Sequence, residues 1–216
     1  MNIFAALFGK EISLAFKSKQ MVGLGLSLAL AFSVALAFPL ATENLSPKVI
    51  SVLMWTVMFF SSADQTYRTF LREEEMGTAD QLRLRVPSGF VFVAKVASNA
   101  ILLVVIGIAS STLLSVWLKV DMARFWAVLV SVAVGSVCLA VSQGAVGFLL
   151  GFGKGGGAFY PLVVMPVILP VLVSLIMITS SCIEGVAVSV NLVLVAGALS
   201  AAILAGGLAI LPYIEV

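Results

Sequence analysis

Six stretches of this chain carry no charged side chain at all. They are Met21–Thr42, Val49–Ala63, Val96–Leu118, Phe125–Gly153, Gly155–Ile183 and Gly185–Ile214. A helix needs roughly 20 mainly apolar residues to cross a bilayer, and five of the six runs reach that length. The second is shorter, and its helix is expected to continue through Asp64 towards Leu71, with those polar residues at the headgroup level. In lipid every backbone N–H and C=O must be satisfied within the segment or by a closed sheet, so each run is predicted to be a helix. The expected fold is all-α: a polytopic membrane protein with six transmembrane helices in a single domain, 1–216. Composition agrees, with 62% of residues hydrophobic and 10% charged against about 25% charged in soluble domains. A soluble globular chain and a disordered one are both excluded.

Basic residues set the expected orientation. With the N-terminus in the cytoplasm, Lys10, Lys17, Lys19, Arg68, Arg72, Arg83, Arg85, Lys95 and Lys154 lie inside, and Lys48, Lys119 and Arg124 lie outside. That excess predicts an N-in, C-in arrangement. The external loops are then very short, about Glu43–Lys48, Lys119–Arg124 and Ser180–Glu184, and leave no room for an external domain. The N-terminal 20 residues have Phe4, Phe8, Ile12 and Phe16 on one helical face, with Lys10, Ser13 and Lys17 on the other side. Residues 1–20 therefore read as an interfacial amphipathic helix on the cytoplasmic leaflet, with a simple extension of the first span as the alternative. They do not read as a cleavable signal peptide, because the first long apolar run begins only at Met21.

Several chemistries are excluded by missing residues. The chain has no histidine, so it has no His-based triad, imidazole zinc site or His haem ligand. Cys138 and Cys182 are its two cysteines, and their wide separation suggests neither a disulfide framework nor a metal knuckle. A net charge of +2 points to no nucleic-acid partner. Ion-coupled transporters keep carboxylates, lysines or histidines at mid-membrane because the coupling needs them, and the six runs contain none. A P-loop is also missing: Gly153-Lys154 has Phe148 where the first glycine belongs and Gly155 where Ser or Thr belongs. Gly151, Gly153 and Gly156 fit a Gly-x-Gly-x-x-Gly spacing, but they lie between two spans with no preceding strand and read as a tight turn. The chain is expected to be no enzyme and to bind no cofactor itself. Any energy for transport must reach it from a partner.

The largest non-membrane piece, 64–95, is cytoplasmic in this topology. Within it, residues 71–87 read LREEEMGTADQLRLRVP. Glu73, Glu74, Glu75 and Asp80 are flanked by Arg72, Arg83 and Arg85. Gly77 breaks the chain, and Thr78 with Asp80 and Gln81 can open a short helix whose dipole suits Asp80. A solvated loop that holds the inner leaflet would look similar, but a helix rich in charge and leucine is also a docking surface for a soluble partner.

This pattern resembles the B subunit of the cytochrome c maturation haem exporter, the CcmB family, a branch of the type-2 ABC exporter permeases. Glu73-Glu74-Glu75, Gly77 and Asp80-Gln81-Leu82 match in order the family's acidic group, glycine and Gln-Leu-rich helix. FGKEISLAFKSKQ (8–20) is similar to its basic amphipathic leading helix, and PLVVMPVILPVLV (161–173) to its late proline-bearing span. Arg83 and Arg85 depart from the leucine-proline character usual after the coupling segment. The resemblance covers essentially the whole chain. It implies a permease subunit of the bacterial-type cytoplasmic (inner) membrane, coupled to a separate ABC ATPase that uses the ATP, with haem as the cargo. It also implies other membrane subunits of the maturation system, or a second copy of this chain, as partners. Glu73, Glu74, Glu75, Gly77, Asp80, Gln81 and Leu82 would form the ATPase-coupling element. Competing readings are a type-2 permease exporting a drug, lipid or polysaccharide, a non-transporting membrane scaffold, and, weakest, a membrane enzyme.

Two further patterns concern packing. Ser136, Ala140, Gly144, Gly147 and Gly151 put small residues along the fourth span, which lets helices approach closely; contact within the chain is the expected use, ahead of a subunit interface. In the fifth span Pro161 is expected to start the helix, while Pro166 and Pro170 are expected to kink it, either statically or as a hinge.

Overall fold

The computed structural model describes residues 8–13, 19–75, 87–121, 124–151 and 156–214. Among them there is no strand. Six long helices follow in order: α1 (Lys19–Leu40), α2 (Pro47–Glu75), α3 (Ser88–Trp117), α4 (Phe125–Gly151), α5 (Gly156–Glu184) and α6 (Val190–Ile214). Of the expected interfacial helix, residues 8–13 are helical, with Phe8 and Ile12 half-buried, Lys10 exposed and Glu11 buried. The rest of 1–18 lies outside the described residues.

Local signals explain the boundaries. Pro47 opens α2, where a missing N–H is harmless, and Ser46 accepts from Ile50 N through its carbonyl (3.1 Å). Pro87 precedes α3. The fifth helix runs to Glu184, so the expected external loop Ser180–Glu184 is helix and the connection is 185–189 instead. The reason is a glycine stop. Gly185 adopts φ +72°, and Val186 N→Ser181 O (3.0 Å) with Gly185 N→Cys182 O (3.3 Å) form a Schellman ending. Pro161 does not start α5, which begins at Gly156; Pro161, Pro166 and Pro170 all lie within it.

Consecutive helices run antiparallel. Rings of Phe38 and Trp117 meet at one end of the bundle (centroids 6.0 Å apart), and those of Tyr67 and Tyr160 at the other (6.5 Å). The first end carries the short connections 41–46, 118–124 and 185–189. The second carries the segment after Glu75. Helix α2 packs against α1, α3, α4 and α5; α4 packs against α2, α3, α5 and α6; α1 and α6 flank the bundle. The small residues of α4 face inward, since Ser136 and Ala140 are fully buried and Gly144 and Gly147 face Phe70.

Two apolar clusters fill the interior, and α2 divides them. Trp55 and Met58 belong to one, with Leu139, Phe148, Ile168 and Leu175. Met54 and Val57 belong to the other, with Ala29, Leu103, Ile106 and Val132. Five helices are long and apolar enough to cross a membrane: α1, α3, α4, α5 and α6. Helix α2 is long enough, about 44 Å at 1.5 Å per residue, but less apolar, because its inward face carries Ser51, Ser61, Ser62, Gln65 and Thr66, all buried. The outward faces are apolar, with Trp126, Leu162 and Phe38 more than 70% exposed, and a bilayer covers such a surface. Serines within the helices return their hydroxyls to carbonyls four residues back, as in Ser33→Ala29, Ser111→Gly107 and Ser136→Val132, so they cost little in an apolar setting.

Candidate functional site

Chemistry-bearing side chains concentrate at the end of the bundle that holds the segment 64–95. The last three turns of α2 supply them first. Asp64 and Arg68, four residues apart, form a two-pronged pair, with Nε donating to Oδ2 (2.8 Å) and Nη2 to Oδ1 (3.1 Å). Both stay about a quarter exposed, so the pair contributes at most about 1 kcal/mol. One turn on, Phe70 and Leu71 turn inward and are buried.

Helix α3 then returns beside α2. Its Lys95 is only 5% exposed. The ammonium donates to Thr69 O of α2 at 2.8 Å and stands 5.8 Å from the Phe70 ring centroid. A cation suits this place, because the carbonyl accepts from it while the ring face adds attraction. Lys95 thereby ties α3 to the end of α2. Next to it Phe70, Phe92 and Phe148 bring three helices together, with centroids 6.4, 6.3 and 4.8 Å apart. Helix α4 can come this close because it has glycines: a Cβ on Gly144 would meet Val96 at 3.0 Å and Phe70 at 3.3 Å.

Beneath the aromatic layer lies a polar hub. Thr66 of α2 is fully buried. Its hydroxyl accepts from Asn99 Nδ2 of α3 (3.0 Å) and donates to Gln143 Oε1 of α4 (3.3 Å). Tyr160 of α5 lies beside it; a Cβ on Gly147 would touch Thr66 at 3.4 Å and Tyr160 at 3.5 Å. Four helices thus meet around one hydroxyl. The hub is not saturated, because Asn99 Oδ1, Gln143 Nε2 and both polar atoms of Gln65 have no hydrogen-bond partner among the described residues, while the Tyr160 hydroxyl reaches Thr66. Gln65 turns to the other side of α2, where Gly25 of α1 admits it; a Cβ there would stand 3.0 Å from Gln65 Oε1. Near the opposite end a smaller chain is complete. Trp55 Nε1 donates to Thr179 Oγ1 (2.9 Å), which lies 3.2 Å from Ser131 Oγ.

Glu73, Glu74 and Glu75 occupy the last turn of α2, so the acidic group extends a long helix rather than starting a loop. Gly77, Asp80, Gln81 and Leu82, with the expected short helix from Thr78, lie outside the described residues. Pro166 and Pro170 are on the exposed face of an α5 that stays helical throughout. An apolar groove of about 170 Å³ between α2 and α5 is lined by Trp55, Phe59, Phe60, Met165 and Leu169 among others; it carries no charge. Among the described residues no three His, Cys, Asp or Glu side chains gather as a metal site would need.

Sequence reasoning missed the hub and Lys95. One signal was available for the hub: Asn99 and Gln143 are the lone amides of their charge-free runs, and a polar side chain inside a span tends to bond across helices. Comparison with known proteins adds the last finding. The family model described as CcmB protein matches residues 2–215. A comparison with curated proteins finds no match.

Proposed function

Since the chain belongs to the CcmB family, the haem exporter protein B family, we propose that it is the membrane permease subunit of an ABC transporter acting in haem delivery for cytochrome c maturation. The complex lies in the bacterial-type cytoplasmic membrane. Helix α2 is its sixth span, the N- and C-termini are cytoplasmic, and a separate ATPase subunit binds the end of the bundle that carries Glu73, Glu74 and Glu75. That ATPase supplies the energy, because the six uncharged runs offer no mid-span charge to harvest an ion gradient, Asp64, Arg68 and Lys95 standing towards one end of the bundle, and the chain has no P-loop.

One observation carries the reading. Helix α2 is unbroken from Pro47 to Glu75, so a force applied to the acidic turn passes along one rigid element into the middle of the bundle. Lys95, the three phenylalanines and the Thr66 hub fasten that element to α3, α4 and α5. Three carboxylates towards the C-terminal end of a helix oppose its dipole. A local rule broken in this way is expected where a partner compensates it, and a basic face on the ATPase would do so. Gly77, Asp80, Gln81 and Leu82 extend the same contact.

Deletion of the gene tests the function. Covalent c-type cytochromes should disappear while b-type cytochromes persist, since only the former need thioether attachment. Complementation should require both this protein and an ATPase with intact nucleotide binding. Normal c-type cytochromes combined with loss of drug resistance or of a surface polymer would transfer the function to a drug, lipid or polysaccharide exporter. An ATPase that never co-purifies would favour a scaffold.

A further inference from the structure

On the outward face of α2, Thr56, Phe60, Asp64 and Arg68 follow one another at every fourth position, a spacing that stacks side chains along one side of a helix. None of the four is buried. The stripe is uncharged in its first half and charged in its second. Beside the uncharged half runs the groove between α2 and α5, with Trp55, Phe60, Met165, Leu169 and Ile176 in its lining. It opens outward, since Phe60, Met165 and Leu169 are half exposed. Its walls need no polar partner: the Thr56 hydroxyl donates to Val52 O (2.7 Å) and the Trp55 indole N–H to Thr179 Oγ1 (2.9 Å). From Ile176 to Met165 the α5 wall covers about 16 Å at 1.5 Å per residue. That is about half of a hydrocarbon core roughly 30 Å thick, the depth of one leaflet.

Because α2 and α5 run antiparallel, the Met165 end of the groove lies towards Asp64 and Arg68, which follow Phe60 on α2. Asp64 is the first charged residue after the run Val49–Ala63, where a span gives way to headgroups. The pair is neutral as a whole but not saturated. Nε and Nη2 of Arg68 face the two Asp64 oxygens, which leaves other N–H donors of the guanidinium and other lone pairs of the carboxylate to spare. Both side chains are about a quarter exposed, so a ligand outside the bundle reaches both.

A ligand matching both halves of the stripe combines an acyl chain, a phosphate for Arg68 and a cationic hydrogen-bond donor for Asp64. We propose that this face of α2 and α5 is a binding site for a phospholipid with an ethanolamine headgroup: one acyl chain lies in the groove, the phosphate meets Arg68 and the primary ammonium meets Asp64. A choline headgroup has no N–H to donate, and a glycerol headgroup brings no cation to the carboxylate, so both fit less well.

Native mass spectrometry of the full chain in mild detergent, with added lipids of identical acyl chains, tests this without any ATPase, so its outcome is independent of the transport reading. Adducts of phosphatidylethanolamine are expected to exceed those of phosphatidylcholine and phosphatidylglycerol by about 10-fold, the worth of one charge-assisted hydrogen bond. Asp64→Asn should abolish that preference. Arg68→Gln should weaken all three lipids, because each carries a phosphate. Leu169→Trp, which fills the groove from a half-exposed position, should also weaken all three. Equal adducts of the three lipids, a preference for phosphatidylglycerol, an ethanolamine preference retained in Asp64→Asn, or unchanged binding in Arg68→Gln or Leu169→Trp would each overturn the site.

Discussion

At the scale of single residues, two glycines decide how the bundle closes at the end with the short connections. Gly135 of α4 lies under the Trp55 indole, and a Cβ there would stand 2.1 Å from Trp55 Cη2. No indole tolerates that distance, so Gly135→Ala must displace the ring and break its 2.9 Å bond to Thr179. Overpacking of this kind costs about 1–3 kcal/mol. The variant should melt earlier in detergent and shift its tryptophan emission to the red; an unchanged melting curve would show that the ring moves freely. Gly185 has a different reason. Its φ of +72° disfavours any side chain, by about 1–2 kcal/mol, and a Cβ would stand 2.7 Å from Arg124 Cζ. Arg124 Nη1 donates to Ile183 O at 2.7 Å, adding a third satisfied carbonyl to the end of α5. Gly185→Ala should therefore destabilise by more than the backbone term alone. Combining it with Arg124→Ala should give less than the sum of the two single losses, which a thermal double-mutant cycle measures.

At the scale of elements, α2 joins the middle of the bundle to the acidic turn. Its inward polar residues lower its hydropathy, and they are affordable because four other helices surround it. This explains why its uncharged run ends at Ala63 while the helix continues to Glu75. Reversing Glu73, Glu74 and Glu75 together to lysine is expected to leave membrane insertion intact, because the change lies beyond the uncharged run that ends at Ala63. It should weaken retention of the proposed ATPase in mild detergent by roughly 10-fold, since charges at the rim of a contact act modestly one at a time and a triple reversal makes attraction repulsion. Equal retention together with normal c-type cytochromes would remove this turn from the coupling path. The same logic predicts that Lys95→Met loosens α3 from α2: the carbonyl of Thr69 loses its 2.8 Å donor, and the loss should appear as faster hydrogen exchange in the last turns of α2.

At the scale of the whole molecule, the proposed alternation of six spans predicts which surfaces face each side of the membrane. Cys182 lies in the last turn of α5, at the end with the short connections, and Cys138 lies midway along α4. Both are free and partly buried. An impermeant thiol reagent applied to intact cells should modify Cys182 faster than Cys138. Labelling of Cys182 only after the inner face is opened would reverse the proposed orientation. The same antiparallel order brings Arg68 and the acidic turn to one end, beside the buried Lys95.

The sequence by itself determined the class of fold, because a run of some 20 residues without charge has one stable backbone solution in lipid. It located α1, α3, α4, α5 and α6 closely, and it marked Glu73, Glu74 and Glu75 as unusual through composition and order alone. Helix ends were less legible. Gly185 stops α5 only because its left-handed conformation completes a set of carbonyl bonds, and α5 starts before Pro161 because the preceding turn is helical as well. What only the tertiary structure decided is which face of each helix meets which neighbour. Apolar patterning says little about this in a membrane, where inward and outward faces are both apolar and the helices show almost no amphipathic asymmetry to read. The lone amides Asn99 and Gln143 mark positions that bond across helices, but their joining with Thr66 and Tyr160, widely separated in the chain, follows from the packing of four helices around the glycines of α4.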